Sequence, residues 1–123
     1  MLIIRQAQIE AFQEQRLRQF RRRLSTDVEA AFAGRGVRLS PESVDRQVNV
    51  AIRQAASLRL TRECDVARFA LMVCRFLGGF GEAPLPDILT GILRSDHVDP
   101  DVRMTRAENW LRQMVHRKRR RRK

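Results

Sequence analysis

The chain has 123 residues, of which 43% are apolar and 32% charged, enough for one small folded core and not for a second sizeable domain. No window nears the roughly 18 consecutive apolar residues of a membrane span, and Met1-Leu2-Ile3-Ile4-Arg5 lacks both the basic flank and the length of a secretion signal. A cytoplasmic location is therefore expected, with both cysteines as free thiols.

The formal net charge is +11, and its placement says more than its size. Residues 117–123 are all basic, and residues 1–24 hold six arginines against Glu10 and Glu14. The stretch between, residues 25–116, balances twelve basic against twelve acidic side chains. A nucleic-acid-binding fold usually spreads its basic residues over the folded face, and this middle shows no such bias. Of the 25 basic residues 23 are arginine. Codon composition is the plain explanation, since arginines also run through the neutral middle.

In chain order, Ile9, Phe12, Leu17, Phe20, Leu24, Val28 and Phe32 recur every three to five residues. The spacing predicts one long amphipathic helix over about residues 5–33. Ser25-Thr26-Asp27 offers a place where that helix breaks and restarts, and Gly34 and Gly36 end it. Leu2-Ile3-Ile4 ahead of it either pairs as an edge strand with another protein or staples the helix to the core.

Ser40-Pro41-Glu42 combines a capping hydroxyl, a proline at the first helical position and an acid, which starts a second helix. Val44, Val48, Ile52 and Ala55 form its buried stripe. A third helix begins at Thr61, and its residues from Val66 to Leu77 are apolar over most of the circumference, as in a helix buried on several sides. Gly78-Gly79 stops it. A Gly/Pro-rich loop follows, in which Phe80 and Leu85 either fold back onto the domain or anchor a partner. A short helix covers about residues 87–94. Asp99-Pro100-Asp101 starts the last, which runs to about His116 and buries Val102, Ala107, Trp110 or Leu111, and Met114. The expected fold is all-α: a single compact bundle of about five helices over residues 1–116, with a basic tail at 117–123 that is either fraying helix or disordered.

No pattern of residues announces a reaction. Cys64 and Cys74 stand about 15 Å apart along one helix, beyond disulfide reach. His97 and His116 have no paired spacing with them for zinc. Gly78-Gly79-Phe80-Gly81 lacks the Lys-Ser/Thr ending and the preceding strand of a phosphate loop. No Gly-x-Ser-x-Gly turn is present. The expectation is a binding protein that is not an enzyme and uses no metal and no cofactor. Its tail, Arg117, Lys118, Arg119, Arg120, Arg121, Arg122 and Lys123, is a solvated extension, a dock for an acidic protein, or a phosphate binder. It has no interleaved aromatics to stack on bases.

The opening Leu2-Ile3-Ile4-Arg5-Gln6-Ala7-Gln8 with its long helix resembles small helical proteins encoded beside spike, spike-tip and effector genes in bacterial type VI secretion neighbourhoods. Asp65-Val66-Ala67-Arg68-Phe69, Leu77-Gly78, Phe80, Pro86, Ile88-Leu89, Leu93 and Arg103-Met104 carry the likeness on, over about residues 1–114. The resemblance implies an accessory role as chaperone, adaptor or co-loaded subunit of a secreted effector or spike protein. Partner contacts are then expected at Leu2, Ile3, Ile4, Phe80 and Leu85 and at Arg16, Arg18, Arg21, Arg22 and Arg23 of the first helix. The alternative is nucleic-acid binding through the first helix and the tail.

Overall fold

The computed structural model describes residues 6–81, 83–95 and 97–121. It is an all-helical bundle of five helices: α1 (Gln6–Ala33), α2 (Pro41–Ser57), α3 (Glu63–Phe76), α4 (Asp87–Leu93) and α5 (Pro100–Arg121). α3 is the hub, packing against α1, α2 and α5, while α4 packs on α5. Its composition explains the position: Val66, Phe69, Ala70, Met72, Val73 and Cys74 are all buried, so it meets neighbours on several sides. Each large side chain buried there contributes about 1.5–3 kcal/mol of apolar transfer.

The helix ends follow local chemistry. Ser40 Oγ accepts the Ser43 amide at 3.2 Å, and Pro41 sits in the first turn of α2. Asp99 Oδ1 accepts the Asp101 amide at 3.0 Å at the start of α5. α3 begins later than the sequence suggests. Arg62, not Thr61, holds its N-cap position, and the Arg62 guanidinium binds the buried Asp65 carboxylate at 2.8 Å.

Two expectations are corrected, at Val102 and Leu17, and two open points are decided, at the middle of α1 and the end of α5. α1 is continuous through Ser25-Thr26-Asp27, because Thr26 Oγ1 donates back to the Arg22 carbonyl at 3.1 Å instead of capping a new helix. Val102 is 41% exposed, since the burying stripe of α5 runs along Arg103, Met104, Ala107 and Leu111. Leu17 is 46% exposed, because it lies on the open wall of a groove between α1, α2 and α3 and not in the core. The backbone of α5 stays helical through Arg121, so residue 116 marks no boundary in the fold. Arginine and lysine are good helix formers, and cations suit a helix C-terminus.

Burial pushes the Cys74 thiol up to about 11, against a small opposing effect of the Arg35 charge. The folded state thus holds a proton that the unfolded chain gives up from about 9. That contribution is complete below pH 9 and is lost as pH climbs to about 11. The chain has no tyrosine and two lysines, so few other side chains titrate in this window. The urea midpoint is expected to fall across it by about 2 kcal/mol of stability, and Cys74→Ala to flatten the fall. An unchanged slope in Cys74→Ala contradicts the assignment.

Candidate partner-binding site

α1 is twice the helix that the bundle uses. Phe20, Leu24, Val28 and Phe32 are spaced four apart and buried, and they pin residues 20–33 onto α2 and α3. Every described side chain from Gln8 to Gln19 is exposed. Residues 6–19 therefore form an arm of about 21 Å that places none of its described side chains in the core.

A groove of about 460 Å³ lies where the arm leaves the bundle. Leu17 and Phe20 of α1, Ile52 and Ala56 of α2, Leu60 and Val66 supply its apolar wall. Gln13, Arg16, Thr61 and Glu63 form the rim. Glu63 is held from two sides, by Arg16 Nε at 3.4 Å and Arg23 Nη2 at 3.1 Å. Arg21 Nη1 donates to Asn49 Oδ1 at 2.5 Å, which ties the other flank of α1 to α2. Arg18 lies 3.9 Å from Glu14, both well exposed. On the outward side of the arm, Arg18 and Arg22 border a shallow hollow with Ala11, Gln15 and Gln19. An apolar floor inside a polar rim of Gln13, Arg16, Thr61 and Glu63 suits the burial of a protein segment more than that of a small molecule.

The five arginines named from the sequence thus share one helix but not one site: Arg16 lines the groove, Arg23 meets its rim through Glu63, Arg21 is tied to Asn49, and Arg18 and Arg22 border a separate hollow. Phe80 does not join them. It is 4% exposed, its ring meets Phe69 edge-on at 5.6 Å, and Gln47 grips its amide at 2.6 Å and its carbonyl at 3.0 Å. It is a core residue and no partner anchor. Leu85 is half-buried against the same core, so this loop folds back on the domain. Leu2, Ile3 and Ile4 lie outside the described residues. Of the tail, Arg117 is exposed on α5, while the side chains of Lys118, Arg119, Arg120 and Arg121 and the whole of Arg122 and Lys123 lie outside the described residues.

The groove itself escaped the sequence reading. Leu17 read as core because its spacing matches the buried stripe, and Ile52 likewise. Leu17 instead lines an open wall that exists only once three helices are assembled, and Ile52, half-buried against the core, borders the same wall.

Among the described residues no three His, Cys, Asp or Glu side chains gather as metal ligands, and no helix is long and apolar enough to cross a membrane. Cys64 is exposed and Cys74 buried, both as free thiols. Compared with protein-family models, curated proteins and solved structures, the chain matches none.

Proposed function

We propose that this chain is an accessory binding protein, a chaperone, adaptor or co-loaded subunit, for an effector or spike protein of a type VI secretion system. It works by protein–protein contact in the cytoplasm, and travels with its partner if it is exported. The observation that supports the reading is the arm: about four helical turns in which every described side chain from Gln8 to Gln19 is exposed. A helix gains most of its stability from packing an apolar face, so an amphipathic helix without a neighbour is built to meet one. The exposed arginines add steering toward an acidic partner surface and raise the encounter rate.

The test is co-expression with the secreted effector encoded beside this gene, followed by purification through the effector. The account expects a stable complex, weakened about tenfold or more by the double replacement Arg22→Glu, Arg23→Glu at the base of the arm. A chain that elutes alone, with no effector retained at low salt, contradicts it.

The second reading, nucleic-acid binding, is favoured by one feature: α5 carries its helix through Arg121, which lines up basic positions on one rod. Its affinity for duplex DNA or RNA then falls steeply with salt, and deleting residues 117–123 removes that slope. Undetectable or salt-insensitive binding eliminates it.

A further inference from the structure

We propose that the outward face of α5 is a binding surface for duplex DNA. The acids of α5 are Asp101 and Glu108, and Arg68 of α3 holds both: its Nη1 meets Asp101 at 2.6 Å and its Nε meets Glu108 at 2.8 Å. The remaining Arg68 nitrogen donates to Thr105 Oγ1 at 3.1 Å. That clamp, with the burial of Arg103, Met104, Ala107 and Leu111, fixes which side of the helix turns away from the bundle. Arg106, Asn109, Arg112, Gln113, His116 and Arg117 stand on that side, all of them exposed. At about 100° per residue they fill one arc of about 140° along about 16 Å of the axis. Among the described residues, none of these six side chains is engaged in a hydrogen bond or an ion pair. Residues 25–116 are neutral as a sum, yet folding draws the two acids of α5 onto α3 and leaves cations alone on the outer face.

A surface of one sign calls for a polyanion, and the side chains favour one kind. Arginine's planar fork takes phosphate by two bonds at once, and Asn and Gln bond to phosphates and to base edges alike. A helix with a wide polar face fits the major groove of B-form DNA, about 12 Å across, whereas the narrow major groove of duplex RNA excludes it. DNA supplies a charge every 1.7 Å or so, which an acidic protein matches only with an unbroken line of carboxylates. Val102 is the one large apolar side chain exposed on the described part of α5, too little for insertion into a lipid surface. The inference rests on the nucleic-acid reading and moves its contacts from the tail into the folded part of α5. It does not depend on the secretion role.

Binding of a short mixed-sequence DNA duplex to the full chain, followed from about 50 to about 200 mM salt, tests it. Arg106→Ala combined with Arg112→Ala is expected to weaken binding about tenfold or more at low salt. It is also expected to reduce the slope of log affinity against log salt by about two, since each lost phosphate contact removes about 0.9. Arg46→Ala combined with Arg53→Ala removes the same charge from exposed positions of α2, which does not pack on α5. That control is expected to bind like the unaltered chain, and all four sites are exposed, so both variants are expected to keep its thermal melt. An unchanged slope in the α5 variant, or an equal fall in the control, overturns the face; the tail reading then stands if deleting residues 117–123 still removes the slope. Undetectable binding by the unaltered chain overturns the face and the nucleic-acid reading together. Poly-glutamate, duplex RNA or phosphatidylserine vesicles bound as tightly as DNA, with the same loss in the α5 variant, overturn the choice of DNA.

Discussion

Arg103→Ala is expected to cost about 3–5 kcal/mol, a large part of the stability of a domain this small. Arg103 is 4% exposed, and no carboxylate pairs with it among the described residues. Its Nη1 donates to the Leu58 carbonyl at 3.2 Å and the Leu93 carbonyl at 2.7 Å. Leu58 closes the C-terminus of α2, and Leu93 is the last residue of α4. A helix C-terminus carries roughly half a negative charge, so two of them together supply about what one guanidinium needs. Arg103 Nε is buried without an acceptor, a cost that the Nη1 bonds and the packing of the stem must offset. Removing the guanidinium leaves two helix-end carbonyls buried without their donor, at about 1–3 kcal/mol each. Arg103→Met separates the causes. It keeps most of the stem's packing and loses the donors, so it is expected to remain within about 1 kcal/mol of the alanine variant. Chemical unfolding measures both, and a loss below about 1 kcal/mol for Arg103→Ala contradicts the capping role.

Gly79→Val is expected to destabilise by about 4 kcal/mol, from backbone strain and overpacking together. Gly79 has φ +101°, where side chains strain the backbone. A Cβ there would lie 2.6 Å from Phe32 Cζ and 2.9 Å from Gln47 Oε1. Neither neighbour yields easily. Phe32 is buried in the core stripe of α1, and Gln47 holds both backbone groups of Phe80. Gly36 supplies the control. Its φ is +78°, yet a Cβ would meet nothing within 4 Å. Gly36→Ala therefore reports strain alone, at about 1 kcal/mol. Thermal melts of the two variants are expected to differ widely, and equal losses contradict the packing argument at Gly79.

The elements were largely legible because their signals are local. Ser40-Pro41-Glu42 and Asp99-Pro100-Asp101 mark helix starts by hydrogen bonds that span two or three residues. α3 declared its central position by being apolar over most of its circumference. Thr26 misled, because a hydroxyl that caps a helix start in one setting bonds back to the previous turn in another. Leu17 and Val102 misled for a different reason. Periodicity shows which face is apolar and not how far along the helix a neighbour extends. The groove joins Leu17, Ile52 and Val66, brought together by the packing of α1, α2 and α3, and no local pattern encodes that meeting. The arginines were legible as a cluster, whereas the pairing of Arg16 and Arg23 with Glu63 was not.

The central claim is that the first half of α1 exists to grip another macromolecule. Hydrogen exchange on the isolated protein, repeated with a co-purified partner, tests it most directly. Amides of residues 20–33 are expected to be protected in both states, and those of residues 6–19 only when the partner is bound. Partner-induced protection confined to α3, α4 or α5, with the arm exchanging as freely as before, contradicts it.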